Sequence, residues 1–126
     1  MDRSEEIWES SILPSLSDFI GIKALSPLFE PNWAEMGELD ATIELFCEWL
    51  DDQGIEGMSY EKHRIGELSP VLIVTIEGTG PGEVIFYSHL DKQPSKPELW
   101  SEGLHPLKAV RRDPWLYGRG SVDDGY

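Results

Sequence analysis

Two stretches in the first half of the chain carry apolar residues at the three- to four-residue spacing of a helix. In the stretch from Ser4 to about Ile22, these residues are Trp8, Ile12, Leu16, Phe19 and Ile20. This period predicts an amphipathic helix. Pro14 should bend or restart that helix, because proline has no backbone N–H to donate.

A second helix is predicted from about Trp33 to Gln53. Its apolar positions are Met36, Leu39, Ile43, Phe46, Cys47 and Leu50. Gly54 follows where a left-handed C-cap is expected, and Gly37 is a weak point inside the helix. Cys47, the chain's single cysteine, lies on the apolar side, so we interpret it as a buried small residue and not a nucleophile.

After the second helix the pattern becomes strand-like. Met58 to Arg64 alternate loosely, as in an edge strand, whereas VLIVTI at 71–76 is continuously apolar, as in a strand covered on both faces. A turn at 78–82 leads to EVIFY at 83–87, which we predict to be another buried strand.

The last strands are predicted at Leu107–Arg111 and Trp115–Tyr117, paired as a hairpin around Arg112-Asp113-Pro114. Two helices followed by interior strands indicate an α/β domain, and the chain shows no internal repeat.

The composition of the chain excludes some classes of partner and indicates the compartment of the protein. The 24 acidic and 10 basic residues give a formal charge of −14, so nucleic acid and anionic membrane surfaces are not expected partners. The first twenty residues hold five acids and one arginine, without the apolar run of a secretory signal, and no stretch approaches membrane-spanning length. We therefore expect a cytoplasmic protein.

The first candidate site is His89 with Asp91, directly after the predicted strand at 83–87. Ligand crevices of α/β sheets lie at the ends of such strands. Residues two apart in extended chain project to the same side, so Asp91 can orient the imidazole while its other nitrogen faces a metal. Taken alone, a His-x-Asp is more often a hydrogen-bonded structural pair.

The second candidate site is the glycine-containing segment 117–124, YGRGSVDD. Two glycines allow a tight turn, and the adjacent carboxylates of Asp123 and Asp124 repel each other unless cations offset their charge. One carboxylate can bridge two metal ions about 3.5–4 Å apart. An isolated Asp-Asp is more often an acidic turn or a helix N-terminus.

Together, YSHLDKQP at 87–94, Trp100 and LYGRGSVDD at 116–124 resemble the zinc metallopeptidase family of carnosinases, carboxypeptidase G, aminoacylases and dipeptidase V. That family carries the pattern YGHLDVQP, a tryptophan, Pro-Phe and LYGRGxxDDKG. Segments farther upstream also fit it, at 25–27, 32–33 and 71–74, so the resemblance covers nearly the whole chain.

The resemblance implies a role for four residues. His89 looks like a terminal ligand of one of two zinc ions, and Asp91 like the catalytic-site residue that holds it. Asp123 looks like the carboxylate that bridges both ions, and Asp124 like its neighbour across a cis peptide bond. Such a bond costs about 3–4 kcal/mol without proline, so its surroundings must enforce it. Manganese or cobalt would also suit these ligands.

This chain departs from the family pattern at four places. Ser88 stands for a glycine, Lys92 for a valine, Leu107 for a phenylalanine, and Gly125-Tyr126 for Lys-Gly. None of these changes a metal-facing atom. Ser88 and Lys92 could change the shape and charge of the pocket.

The resemblance further implies the N-terminal portion of a three-layer α/β/α sandwich, with 1–126 as an incomplete catalytic domain. The family also needs a Glu-Glu pair, another acidic ligand and a late histidine, and none of them can be located here. His63 and His105 match no ligand position, so we expect them to be solvent-facing or structural. A lid domain, through which many relatives form homodimers, is absent too.

Two classes of function follow from these expectations. The first is a di-zinc hydrolase cleaving amide bonds of small peptides or N-acyl amino acids, with the isolated 126 residues inactive and weak in zinc binding; a deacylase of non-peptide amides would share the same half-site. The second is a non-catalytic truncated or pseudo-enzyme module. A downstream reading frame containing the Glu-Glu pair would favour the first.

Overall fold

A nearly continuous helical segment begins the part of the chain that the computed structural model describes, residues 2–122. It consists of α1 (Arg3–Ile7), a π-helical turn (Trp8–Ile12) and α2 (Leu13–Gly21). In the π turn the amide of Leu13 donates to the carbonyl of Trp8, one residue farther back than in an α-helix. The wider turn lies directly before Pro14, whose ring does not fit a regular α-helical turn. The predicted first helix, restarted at Pro14, is confirmed.

The second predicted helix is present but interrupted. It forms a short α3 (Trp33–Met36) and a long α4 (Glu38–Gln53). Gly37 between them has φ +69°, a left-handed conformation that a helix interior does not contain. Gly54 ends α4 with φ +59°, so the predicted C-cap is confirmed. The prediction of one uninterrupted helix was wrong at its weak point, Gly37.

The first sheet pairs β1 (Met58–His63) with β2 (Val71–Ile76) in antiparallel register. Two polar contacts connect it to α4: Lys62 lies 2.7 Å from Glu44, and the hydroxyl of Tyr60 donates to Asp51 at 3.1 Å. The prediction that β2 is covered on both faces was wrong. Within the described residues this sheet has two strands, and Ile73 is 50% exposed.

The segment 83–87 does not form the buried strand predicted for it. Phe86 and Tyr87 are about 90% exposed, and no strand is assigned between 77 and 109. Apolar and β-branched composition records a propensity for strands, but a strand forms only where its backbone pairs with a neighbour. In the described part of the chain β2 pairs with β1 alone.

The second sheet is the hairpin of β3 (Val110–Arg112) and β4 (Trp115–Tyr117), so the predicted hairpin is confirmed. Its first strand begins at Val110 and not at Leu107, and it includes Arg112, which we predicted to lie in the turn. Arg112 pairs with Trp115 next to the turn, and Val110 pairs with Tyr117 at the open end. The chain leaves β4 directly into the glycine-containing segment at 118, so the hairpin positions the second candidate site.

The apolar core lies around α2. Leu16, Phe19 and Ile20 form its buried cluster, with Leu45 of α4 and Leu116 of β4 packed against it. Further buried residues are Ala24, Leu25, Leu39, Ile43, Cys47 and Leu50. The burial of Cys47 confirms its interpretation as a core residue, and this burial raises the pKa of its thiol.

At the coarse level the structure is a mixed domain of helices and two small antiparallel sheets, as an α/β class predicts. The helices of residues 2–122 include none with the length and apolar character that crossing a membrane requires.

Candidate metal half-site

His89 and Asp91 are brought together in the structure. The Nδ1 atom of His89 lies 3.0 Å from the main-chain oxygen of Asp91 and 3.3 Å from its Oδ1. Both side chains are partly exposed, at 42% and 35%. The spacing in the sequence therefore predicted correctly that His89 and Asp91 are neighbours. The hydrogen bond, however, goes to the main-chain oxygen of Asp91, and its carboxylate lies beside that oxygen.

This hydrogen bond determines where the proton of the imidazole resides. A carbonyl oxygen can only accept, so Nδ1 must carry the hydrogen. In the neutral ring, Nε2 then has the lone pair that a metal requires. Histidine ligands of metals are usually held in this way, with the second nitrogen donating to a carbonyl or carboxylate. The donor chemistry of His89 and Asp91 fits a zinc ligand and the residue that orients it.

The segment that carries His89 is tied to the chain just after α2. The amide of Lys92 donates to the carbonyl of Ala24 at 2.8 Å, and the amide of Ser26 donates to the carbonyl of Lys92 at 2.9 Å. Leu25 and Lys92 thus form a parallel β-bridge. These main-chain bonds place His89 and Asp91 close to the C-terminal end of α2.

The glycine-containing segment packs on the same helix. Gly118, with φ +152°, is buried, and a Cβ atom placed there would lie 2.5 Å from Cγ2 of Ile20. A larger residue at this position would push against the side chain of Ile20, so either that side chain or the turn would have to shift. The amide of Arg119 donates to the carbonyl of the buried Pro106 at 2.7 Å, and the amide of Ser121 donates to the carbonyl of Gly118 at 3.2 Å. Residues 118–121 therefore form a tight turn fixed against the core.

Both candidate segments meet on the last turn of α2. The ammonium of Lys92 contacts the carbonyls of Phe19 and Ile22, while Gly118 touches Ile20. The sequence separates the two segments by almost thirty residues, yet both contact the four residues from Phe19 to Ile22, which are the end of α2 and its C-cap. The fold thus directs the start of the segment that contains Asp123 toward the same end of α2 as His89.

Asp123 and Asp124, the predicted bridging ligand and its neighbour, lie outside the described residues. Among residues 2–122, no group of three or more His, Cys, Asp or Glu side chains is arranged to hold a metal ion. The structure therefore describes one predicted ligand, His89, and the residue predicted to orient it, Asp91.

The other two histidines have local partners. Nε2 of His63 lies 3.0 Å from Glu61 on an exposed strand, and Nδ1 of His105 accepts from the amide of Leu107 at 3.1 Å. Both residues are exposed. They are solvent-facing or structural, as predicted.

Sequence reasoning missed the position of Lys92. We expected a change in the charge of the pocket, but the side chain is buried beneath the segment, at 1% exposure. The signal that could have revealed it is the charged residue itself, in a segment where the family has a valine. A lysine at an apolar position must find acceptors for its ammonium inside the protein.

A scan against models of known protein families gives no match to this chain, and a search among curated proteins gives none either.

Proposed function

We propose that this chain belongs to a di-zinc hydrolase that cleaves amide bonds of small peptides or N-acyl amino acids. The observation that carries the proposal is the geometry at His89, where the Asp91 main-chain oxygen accepts from Nδ1 at 3.0 Å. That bond leaves the lone pair on Nε2, as a zinc-binding histidine requires. The convergence of this segment and the segment of Gly118 on α2 supports the same function.

In the proposed site, His89 would hold one zinc ion through Nε2, and Asp123 would bridge the two ions. Two divalent cations, when bound, lower the pKa of water and polarise a substrate carbonyl. Asp91 keeps the proton of the imidazole on Nδ1 and places a negative charge behind the ring. That charge makes Nε2 a better electron donor. Zn²⁺ is the proposed metal, and Mn²⁺ or Co²⁺ would suit the same ligands.

The remaining parts of the site are proposed to lie in a longer protein. A catalytic zinc takes about three protein ligands, and these 126 residues supply two that match the family. The general-base glutamate, the other ligands and a dimerising lid domain would complete it. The proposed fold is the first portion of a three-layer α/β/α sandwich, and the proposed compartment is the cytoplasm, where a lone unpaired thiol such as Cys47 is ordinary.

Calorimetric titration of the purified 126-residue chain with Zn²⁺ tests the proposal. We expect weak binding that His89→Ala and Asp123→Ala each reduce at least about tenfold, because each removes a ligand. His105→Ala is the matched control, since it removes an exposed imidazole outside the site, and it should leave the affinity unchanged.

Equal zinc affinity in the wild type and His89→Ala would overturn the proposal. The isolated chain should also hydrolyse no dipeptide, because the general-base glutamate is proposed to lie in the longer protein. Zinc-dependent hydrolysis by these 126 residues alone would contradict the proposal that the rest of the active site lies in a longer protein.

A further inference from the structure

We propose that Lys92 is a positioning residue for His89: its ammonium closes the C-terminal end of α2 and thereby fixes the peptide group that orients the imidazole. The proposal rests on the proposed function for its chemical purpose, although the geometry that carries it contains no metal.

The side chain of Lys92 is anchored under the helix. Nζ donates to the carbonyl of Phe19 at 2.6 Å and to the carbonyl of Ile22 at 2.7 Å. It also lies 3.9 Å from the centroid of the Phe19 ring, within the range of a cation–π interaction. The last carbonyls of a helix carry partial negative charge, and a cation there is stabilised. These partners offset the cost of burying a charge that lysine otherwise avoids.

The main chain of Lys92 transmits this anchoring to His89. The peptide group between Asp91 and Lys92 has its N–H bonded to the Ala24 carbonyl at 2.8 Å. In a trans peptide the N–H and C=O point in opposite directions. The carbonyl of Asp91 must therefore point away from Ala24, and it accepts from Nδ1 of His89 at 3.0 Å. One planar group thus joins the anchored lysine to the oriented imidazole.

Replacing Lys92 with methionine should release this orientation with little change in side-chain volume. The Ile22 carbonyl would lose the ammonium, whereas the Phe19 carbonyl would keep its bond from the Ile22 amide at 3.0 Å. The peptide of Asp91 would then be held by the main chain alone. We expect the proton of His89 to distribute between Nδ1 and Nε2.

Nitrogen-15 NMR of the full 126-residue chain at about pH 8.5, where an ordinary imidazole is neutral, measures this distribution. The two ring nitrogens of His89 should be widely separated in the wild type and drawn toward their mean in Lys92→Met, with an unchanged far-UV circular dichroism spectrum. Lys92→Arg keeps a cation and should restore most of the separation. Lys96→Met, a change at an exposed lysine, should have no effect.

The proposal would be overturned if the two ring nitrogens of His89 stay as widely separated in folded Lys92→Met as in the wild type. That result would mean that Lys92 contributes to stability alone and does not orient the imidazole. A second measurement needs no variant: the ammonium protons of Lys92 should exchange with water far more slowly than those of Lys96. Equal exchange rates would overturn the proposal even if Lys92→Met does not fold.

These measurements contain no metal, so they separate this proposal from the proposed function. Failure of zinc to bind would leave the result on Lys92 standing. Conversely, His89→Ala could lose zinc affinity while the imidazole in Lys92→Met stays unaltered. The proposed function would then stand, and the positioning role of Lys92 would be refuted.

Discussion

At His89, the bond that holds the imidazole runs to the main-chain carbonyl of Asp91, and the carboxylate lies 3.3 Å from the same nitrogen. The backbone oxygen determines the position of the proton, and the carboxylate adds negative charge behind the ring. Sequence spacing predicts that two residues meet, but it does not predict which atom of the second residue accepts. That choice depends on how the peptide group is fixed by Ala24.

Because the main-chain oxygen of Asp91 accepts the hydrogen bond and its carboxylate supplies the charge, the outcomes of two substitutions can be predicted. Asp91→Asn keeps the main-chain carbonyl and a side chain of the same size, so the imidazole should stay oriented while it loses the neighbouring charge. We expect zinc affinity to fall about tenfold, the lower end of the range for groups that hydrogen-bond a ligand, and by clearly less than in His89→Ala. The loss of zinc affinity in Asp91→Ala should not exceed the loss in His89→Ala, because His89→Ala removes the ligand itself.

Calorimetric zinc titration of both Asp91 variants checks this expectation, with Asp18→Asn as a control at an exposed carboxylate. If Asp91→Asn binds zinc as poorly as His89→Ala, the carboxylate of Asp91 acts as a ligand in its own right. The role assigned to the main-chain carbonyl would then be incorrect.

At the level of elements, the helices were predictable because their signals are local. The apolar period of α2 and α4, the break at Pro14 and the cap at Gly54 all depend on residues within a few positions. The hairpin of β3 and β4 was predictable for the same reason, since its strands are joined by a short turn. The segment 83–87 was not, because a strand requires a partner that its own sequence does not specify.

The N-terminal helical segment and the hairpin are joined by an ion pair that makes a pH-dependent contribution to stability. Arg111 of β3 lies 2.6 Å from Glu9 in the π turn and 2.7 Å from Asp113. The hydrogen bond from Arg111 lowers the pKa of Glu9 below its ordinary value of 4.5. Folding therefore favours the ionised form of Glu9, and this stabilisation is fully present above about pH 5.

Thermal unfolding of the wild type and Glu9→Gln across the acidic range tests this contact. At neutral pH the variant should melt at a lower temperature, because it lacks the charged partner of Arg111. As the pH falls below 4.5 and through the lowered pKa of Glu9, the wild type loses the same stabilisation, so the two melting temperatures should converge. A difference that stays constant from neutral to acidic pH would contradict the assignment, and Glu56→Gln supplies the control at an exposed glutamate.

At the scale of the whole molecule, the described structure exposes much apolar surface. Val84 to Tyr87 are between 79% and 91% exposed, and several side chains of β2 are half-exposed. Contiguous apolar surface of this kind marks places that other protein surfaces cover. It supports the proposal that these residues belong to a larger sheet. Pairing between strands that lie far apart in the sequence leaves no signal in a local pattern, so the residues of 83–87 could not by themselves indicate their partner.

The candidate site was predictable only in part, for a related reason. Motif spacing identified His89 and Asp91, and it identified the turn at Gly118, but their convergence on α2 depends on contacts between distant residues. Lys92 reaches Phe19 and Ile22 across about seventy positions of sequence. No period or motif in the chain records such a contact, so the anchoring role of Lys92 emerged from the structure.

The central claim is that His89 supplies an imidazole to a metal ion that Asp123 also binds. Zinc K-edge X-ray absorption of the zinc-loaded 126-residue chain tests it most directly. We predict imidazole scattering from a nitrogen about 2.0–2.1 Å from zinc, present in the wild type and in His105→Ala, lost in His89→Ala, and accompanied by weaker zinc loading in Asp123→Ala. Imidazole scattering that persists unchanged in His89→Ala would contradict the claim.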